Sequence, residues 1–264
     1  MRHEAAESAA RRMRIIVTED LGTASQVAAN IIVAELKRRP GMLLCASAGG
    51  TPTGTYASLA ARRVRQPGLF ARLRVVLIDE WAGLPRGHPA TCEADLRAKL
   101  LGPLQVAPAR FAGFRTDASN PRRECSRLAR WLEENGPIDL CVLGLGINGH
   151  VAMNEPAAAS IPHAHVARLA ASSLKHAMLK DLARKPRCGM TLGLGDILRS
   201  RKILLLIGGR SKRGIFRRLA KPRITTRLPA SVLWLHPDVT VLADKDAAAG
   251  LSASHELHPQ NHRH

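Results

Sequence analysis

Residues 139–156 have the sequence Asp-Leu-Cys-Val-Leu-Gly-Leu-Gly-Ile-Asn-Gly-His-Val-Ala-Met-Asn-Glu-Pro, and this stretch decides the predicted fold. It begins with an apolar run of the kind that forms a strand buried on both faces of a parallel sheet. The run ends at three glycines, where the backbone must turn sharply or approach another group closely: Gly144, Gly146 and Gly149. The polar side chains that follow include Asn148, His150 and Glu155. Because ligands bind beyond the carboxyl ends of strands in open α/β sheets, the stretch predicts a functional loop.

The glycine spacing alone does not identify a ligand. Gly144, Gly146 and Gly149 match the G-x-G-x-x-G spacing of dinucleotide-binding loops, but His150 and Glu155 stand where a regular helix should begin. A loop histidine can also serve only to cap or to pack, and most single glutamates are solvated surface carboxylates. The stretch by itself therefore leaves a structural role open for both side chains.

Apolar runs alternate with segments of helical periodicity along the chain. The strand-like runs are 14–17, 42–45, 74–78, 110–114, 138–143, 202–207, 229–236 and 239–242. The helix-like segments are 21–39, 94–101, 121–135 and 172–182, with others around 59–60 and 197 and after 212. This alternation predicts an α/β fold with a doubly wound, Rossmann-like, mostly parallel sheet and helices on both faces. We expect one domain over residues 13–250, with disordered segments at 1–12 and 251–264.

The composition is ordinary for a globular domain. The chain has 264 residues, of which 45% are hydrophobic and 23% charged, enough for a sizeable core. No apolar run approaches the roughly 20 residues that cross a bilayer, so we expect a cytoplasmic protein without a membrane partner. The five cysteines are scattered and never in C-x-x-C spacing, which indicates reduced thiols and no metal site.

The formal net charge of +19 raises the question of a nucleic-acid partner. Basic residues gather in 199–202, 210–213 and 217–223, but no zinc-finger, RRM or KH pattern is present and only 3% of residues are aromatic. We therefore favour solvated basic helix faces over a nucleic-acid partner. The same field would steer a small anionic substrate, and the sequence leaves a homo-oligomer open.

Two further loops follow strand-like runs and carry groups suited to anions. Gly49, Gly50 and Thr51 precede a helix, and free N–H groups at a helix N-terminus favour a phosphate. This loop lacks the Lys-Ser/Thr ending of a nucleotide P-loop, and a tight turn that binds nothing is the alternative. The second loop, 208–212, is again rich in glycine and ends at Lys212.

Two acids, Asp79 and Glu80, stand at the end of the strand-like run 74–78 and precede Trp81. Adjacent residues of a strand point to opposite faces, so at most one of the two carboxylates faces a given pocket unless the backbone turns there. Capping of the next segment is the structural alternative for Asp79.

Several short motifs stand along the chain in a definite order. They are Gly49-Gly50-Thr51-Pro52, Asp79-Glu80-Trp81, Gly144-Leu145-Gly146-Ile147-Asn148-Gly149-His150, Asn154-Glu155-Pro156, Thr191-Leu192-Gly193, Ser211-Lys212 and Pro229-Ala230-Ser231 with Leu235-His236. In order and spacing the set resembles the family of glucosamine-6-phosphate deaminases and 6-phosphogluconolactonases, over about residues 14–246. The triplets at 154 and 191 resemble the deaminase branch. The segments most similar to galactosamine-6-phosphate isomerases or deaminases are Glu80-Trp81, Thr91-Cys92-Glu93, Asn148 and 229–236.

The resemblance implies an enzyme that opens, isomerises and deaminates a 2-amino-2-deoxyhexose 6-phosphate. Proton transfers suffice for this chemistry, so no metal or organic cofactor is expected. By resemblance, Asp79 is the base that takes the C2 proton, and a poorly solvated pocket would make its carboxylate more basic. His150 would carry the proton of the ring oxygen, and Glu155 would hold the imidazole.

The resemblance also implies where the substrate phosphate binds. It would lie on the amides of Gly49, Gly50 and Thr51, with Lys212 as a point charge. Secondary candidates for the site are Glu80, Arg168 and Lys175.

Position 148 departs from the family pattern, because deaminases and lactonases usually have Asp-Gly-His where this chain has Asn148-Gly149-His150. An amide can orient an imidazole but cannot stabilise its charged form or accept a proton. Similar galactosamine-type proteins also carry Asn here, so we interpret it as a feature of the subgroup. The predicted reaction converts galactosamine 6-phosphate to tagatose 6-phosphate and ammonia. The alternatives are deamination of glucosamine 6-phosphate to fructose 6-phosphate, hydrolysis of 6-phosphogluconolactone, and a sugar-phosphate-binding regulator without catalysis.

Overall fold

The computed structural model describes residues 13–251 and is built on a sheet of seven parallel strands. From one edge to the other the strands are β1 (Arg14–Thr18), β10 (Val239–Asp244), β9 (Ile203–Ile207), β6 (Leu140–Gly144), β2 (Leu43–Ala46), β3 (Arg74–Leu77) and β5 (Phe111–Ala112).

The central strands are apolar because helices cover both faces of the sheet. Every residue of β2, β9 and β10 is buried. Alternate residues of β6 serve the two cores: Cys141 and Leu143 pack on one face, and Leu140 and Val142 on the other. Truncation of a fully buried residue such as Leu205 to alanine is expected to cost about 2–5 kcal/mol.

Among residues 13–251, three α-helices cover one face and four cover the other. The first group contains α1 (Leu21–Arg38), α2 (Thr53–Arg65) and α3 (Cys92–Leu96), which continues as a π-helical turn, Arg97–Leu101. The second contains α4 (Pro121–Asn135), α5 (Leu194–Leu198), α6 (Arg213–Leu219) and α7 (Lys245–Ala248). Two of the longer helices begin at polar caps: the Asp20 carboxylate accepts the Thr23 N–H at 2.7 Å, and the Asn120 side-chain oxygen accepts the Arg123 N–H at 3.1 Å. The doubly wound α/β prediction is confirmed.

The order of the strands creates a crevice between β2 and β6. After β2 the chain moves outward to β3 and β5, whereas after β6 it moves the other way to β9 and β10. The loops that leave these two adjacent strands therefore diverge, and such a switch point is where open α/β sheets bind ligands. The glycine loops that start at Gly49 and Gly144 both leave the sheet here.

A small antiparallel sheet that the sequence analysis did not predict lies beside the main one. It consists of β4 (Asp79–Trp81), β8 (Cys188–Thr191) and β7 (His165–Arg168), in that order, with Asp79 opposite Thr191. These strands have three or four residues, too few for alternation to be evident in the sequence.

Two predicted elements are wrong. Segment 172–182 forms only the 3₁₀ turns Ser173–Lys175 and Ala177–Leu179, because its side chains compete for local donors: the His176 ring accepts the Met178 N–H. Segment 229–236 forms a 3₁₀ helix, Pro229–Leu235, instead of a strand. Pro229 lacks a ladder donor, and the next amide donates to the Gly149 carbonyl.

The other predicted elements agree with the structure to within a few residues at their ends. The segments predicted to be disordered, 1–12 and 251–264, lie outside the described residues except for Leu251, which packs against the core. Within residues 13–251, no helix combines the length and apolar character that a bilayer crossing needs.

Candidate active site

A cavity of about 530 Å³ opens at the switch point. The predicted site residues that line it are Gly49, Gly50, Thr51, Asp79, His150, Lys175 and Lys212. Four motifs that are far apart in sequence thus meet at one place. Such convergence of charged groups in a concave site is typical of a substrate pocket.

Asp79 and Glu80 point in opposite directions, as expected of neighbours on a strand. Asp79 borders the cavity, where burial, assisted by the charge of Glu80, raises the pKa of its carboxyl to about 7. A carboxylate with such a pKa can both take and return a proton at neutral pH, which suits a general base.

Glu80 lies outside the cavity, which corrects its prediction as a site residue. Its carboxylate is fully buried and accepts the backbone N–H groups of Trp81, Cys92 and Glu93 at 2.7, 2.9 and 2.8 Å. Burial raises the pKa of Glu80 to about 7 against the lowering effect of these three amides. The side chain therefore connects β4 to the first turn of α3.

His150, Glu155 and Asn148 form one network behind the cavity wall. The Glu155 Oε2 atom lies 3.3 Å from His150 Nδ1, which is ion-pair distance without hydrogen-bond geometry, and 2.7 Å from Asn148 Nδ2. Burial alone would raise the pKa of Glu155, but His150, Ser173 and Asn148 together lower it to about 2. Glu155 is therefore ionised at neutral pH and fixes the imidazole from the side away from the cavity.

Asn148 uses both ends of its amide in this network. Nδ2 donates to Glu155, while Oδ1 accepts the His150 backbone N–H at 3.1 Å. A carboxylate at position 148 could keep the second contact but would place a like charge against Glu155. The amide is therefore complementary to its surroundings in this chain.

Two glycines of the same loop have no room for a side chain. A Cβ atom at Gly146 would lie 2.4 Å from His150 Nε2, so the imidazole rests on bare backbone. Gly149 has φ +92°, and a Cβ there would lie 2.3 Å from Leu228 Cδ1. The prediction that this loop requires close backbone approach is confirmed.

The loop predicted to hold the phosphate, residues 49–51 and here called the cradle, lines the cavity, but one of its three amides is not free. The N–H of Gly49 donates to Asp95 Oδ2 at 2.9 Å and is not free, whereas the N–H groups of Gly50 and Thr51 make no hydrogen bond within residues 13–251. Lys212 lines the same cavity, and its ammonium has no ion pair or hydrogen bond among the described residues. Burial lowers the pKa of Lys212. Two free amides and an unpaired cation suit a phosphate.

Three side chains that the sequence analysis missed support the cradle. Asp95 and Lys99, one turn apart, hold the Gly49 peptide from both sides: Lys99 Nζ lies 2.5 Å from Asp95 Oδ1 and 3.3 Å from the Gly49 carbonyl. His176 borders the cavity, with Nε2 3.4 Å from where a Gly49 Cβ would stand and its ring 5.9 Å from that of Trp81. No motif singles these residues out, since only the fold brings them to Gly49.

The two basic secondary candidates lie in different places. Lys175 lines the cavity from its exposed side. Arg168 is exposed at the end of β7 and lines a different depression, so the structure does not bring it to the cradle. Within residues 13–251, no group of three or more His, Cys, Asp or Glu side chains is arranged to hold a metal ion.

Comparison with known proteins identifies the family. Residues 20–242 match the family model described as glucosamine-6-phosphate isomerases/6-phosphogluconolactonase. The chain is 36% identical over 224 residues to the "Putative deaminase AgaI" of Escherichia coli, covering 85% of this chain and 89% of the relative. It is 32% identical to the glucosamine-6-phosphate deaminase of Thermoanaerobacter pseudethanolicus, over 90% of this chain and 94% of the relative.

A solved structure gives the same result. A protein described as a monomeric glucosamine-6-phosphate deaminase of the NagB superfamily superposes with a TM-score of 0.86 at 32% identity, covering 90% of this chain and 99% of that one. The chain therefore belongs to the glucosamine-6-phosphate isomerase/6-phosphogluconolactonase family.

Proposed function

We propose that this protein deaminates an amino-sugar 6-phosphate, with galactosamine 6-phosphate as the substrate and tagatose 6-phosphate and ammonia as the products. The observation that carries the proposal is the content of a single cavity. It holds a carboxyl whose pKa lies near 7, a histidine fixed from behind by a carboxylate, and a phosphate cradle.

The phosphate would bind to the N–H groups of Gly50 and Thr51 and to Lys212. Held at that end, the sugar would extend toward Asp79 and His150. Because His150 Nδ1 faces Glu155, Nε2 is the ring nitrogen that would contact the sugar. His150 would take the proton of the C1 hydroxyl and deliver a proton to the ring oxygen as the bond between C1 and the ring oxygen breaks, leaving an open-chain amino aldehyde.

Asp79 would then take the proton from C2 and return it to C1, while the carbonyl oxygen on C1 gains a proton and the amino group loses one, which converts the 2-amino aldehyde to a 2-imino alcohol. Water adds to the imine carbon and ammonia leaves, so the balance is amino-sugar phosphate plus water to ketose phosphate plus ammonia. Each step moves protons among groups already in the cavity.

The Asn148 network supports an active enzyme over a binder that has lost catalysis. The amide donates to Glu155 and accepts from the His150 backbone, so it maintains the imidazole in place. A protein that only bound sugar phosphates would need the cradle but not this arrangement behind the histidine.

Two observations favour different C4 epimers. The segments Glu80-Trp81 and Thr91-Cys92-Glu93, Asn148 and 229–236 are similar to galactosamine-type proteins, which supports galactosamine 6-phosphate. The relative from Thermoanaerobacter and the superposed structure both carry the name glucosamine-6-phosphate deaminase, which supports the second candidate, glucosamine 6-phosphate.

The test is ammonia release by purified protein from each of the two amino-sugar phosphates, with 6-phosphogluconolactone hydrolysis measured in parallel. We expect kcat/KM for galactosamine 6-phosphate to exceed that for its epimer by about tenfold or more, a difference of about 1.4 kcal/mol that one hydroxyl contact can supply. The reverse ratio would establish the glucosamine enzyme. Lactone hydrolysis without ammonia release would establish a lactonase. If the protein catalyses neither reaction, the remaining alternative is a sugar-phosphate-binding protein without catalysis.

A further inference from the structure

A second cavity, of about 720 Å³, lies on the far side of the helical segment that supports the cradle. Glu93 and Arg97 of that segment line it, whereas Asp95 and Lys99 of the same segment face Gly49. Its opposite wall is the edge strand β5 and the residues that follow it, through Thr116. None of the residues of the candidate active site lines this cavity.

The charges around the second cavity do not cancel. Four arginines line it: Arg86, Arg97, Arg115 and Arg127. Arg97 pairs with Glu93 at 2.6 Å, and Arg127 pairs with Glu124 at 2.6 Å. The guanidinium groups of Arg86 and Arg115 form no ion pair or hydrogen bond with any residue in 13–251. Two exposed cations thus remain uncompensated beside one concave surface, and they would attract an anion.

The rest of the lining is apolar and partly aromatic. Phe111, Phe114 and Trp131 contribute rings, and the Arg97 guanidinium stacks 5.4 Å above the Phe111 ring. The two lining threonines are already engaged: Thr91 donates to the His88 carbonyl and Thr116 to the Trp81 carbonyl. Neither hydroxyl therefore donates into the cavity, whereas a flat ring would find apolar and aromatic contacts.

We propose that this cavity binds a small phosphate monoester with a flat aromatic body, the chemistry of a nucleoside monophosphate. Arg86 and Arg115 hold the phosphate dianion, and the ring lies against the aromatic wall. The volume is in the range of small-molecule sites and far larger than inorganic phosphate requires. The inference is independent of the reaction proposed above, because it concerns separate residues.

The test is isothermal titration calorimetry of the full chain with AMP at low ionic strength, with adenosine and inorganic phosphate as separate ligands. Inorganic phosphate is titrated into Lys212→Ala, so that the cradle at the active site does not contribute to the signal. We expect AMP to bind about tenfold or more tightly than either fragment, and its affinity to fall as salt is added. The double variant Arg86→Ala/Arg115→Ala should weaken AMP by about tenfold or more. Because both side chains are exposed, the variant should fold normally, which circular dichroism would verify.

Two controls separate this site from general charge and from the active site. Arg65→Ala/Arg72→Ala removes two exposed arginines that do not line the cavity and should leave AMP affinity unchanged. Lys212→Ala, in the other anion site, should also leave it unchanged. The proposal is overturned if AMP does not bind at millimolar concentration, if the Arg86/Arg115 variant binds it as tightly as wild type, or if Lys212→Ala abolishes binding.

Discussion

Replacement of Asp79 by asparagine should stabilise the protein at alkaline pH while it removes the activity. The change deletes a charge and almost no volume. In the wild-type chain the pKa of Asp79 is about 7, raised by burial and by Glu80 from an ordinary value of 3.8. Between pH 3.8 and about pH 7, the Asp79 carboxyl loses its proton in the unfolded chain but keeps it in the folded chain. Raising the pH through this window therefore costs the wild-type protein stability, and the neutral amide has no such cost.

The size of the effect follows from the shift. About three pKa units correspond to an upper bound of roughly 4 kcal/mol, at about 1.36 kcal/mol per unit. The carboxyl borders a cavity open to water, so we expect about 1–3 kcal/mol above pH 8. The titration belongs to the adjacent pair Asp79 and Glu80, so the difference reports the pair as a whole.

Urea unfolding of wild type and Asp79→Asn at intervals from pH 4 to 9 measures this difference. It should grow from pH 4 to about 7 and stay constant above pH 8, while Asp117→Asn, a change at an exposed loop residue, should show no such trend. Ammonia release by Asp79→Asn should fall about 100-fold or more, as expected for loss of a general base. A stability difference that is constant or shrinks with rising pH would refute the buried-carboxyl argument, and retention of more than about a tenth of the activity would refute the role as base.

Variants at four further positions test the other parts of the site. Lys212→Ala should weaken substrate and inorganic phosphate together by roughly 1.5–3 kcal/mol, and unchanged phosphate affinity by calorimetry would remove the lysine from the site. Asn148→Asp should place its carboxylate about 2.7 Å from that of Glu155. The repulsion should lower the free energy of unfolding by about 1–3 kcal/mol at pH 8, and by less near pH 4, where the pair can share a proton. Equal stability of variant and wild type at pH 8 by urea unfolding would contradict this. Glu155→Gln should lose the stability that the lowered pKa of Glu155 provides. In the wild-type protein this stability is fully present above pH 4.5 and is lost as the pH falls toward 2. A variant as stable as wild type at pH 7 would argue against the network. Asp95→Ala should free the Gly49 N–H and raise KM about tenfold, with kcat within about twofold of the wild-type value. Asp95→Asn keeps an acceptor, so its KM should lie between those of wild type and Asp95→Ala. A fall in kcat alone would mean that Asp95 does not support the cradle.

The sequence predicted the parts of the fold that a single segment encodes. The apolar run of β6 and the glycines after it are visible because burial on both faces and close backbone approach each demand particular residue types. The same holds for β2 and its loop, and the two loops meet as the crevice rule requires.

The features that the sequence did not reveal depend on contacts between distant segments. Strands β4, β7 and β8 have no internal pattern and exist because they pair with one another. The apolar composition of segment 229–236 suits a strand equally well, but Pro229 lacks a ladder donor and the next amide donates to the distant Gly149 carbonyl, so the segment forms a 3₁₀ helix. Asp95, Lys99 and His176 acquire their places from the path of the chain, so no spacing rule could have identified them.

The pairing of β1 with β10 has a consequence for biosynthesis. Arg14 and Thr240, 226 positions apart, are partners in adjacent strands, and the Arg14 guanidinium donates to the Thr240 hydroxyl at 3.0 Å. Once β9 has been made, it can assemble with β2, β3 and β6, but until β10 follows β1 has no neighbour and β9 has an open edge. Such unpaired edges invite aggregation, and pairings this remote in sequence form slowly. The nascent chain should therefore depend on protection until residue 244 has emerged, and a message truncated before residue 239 should yield insoluble protein.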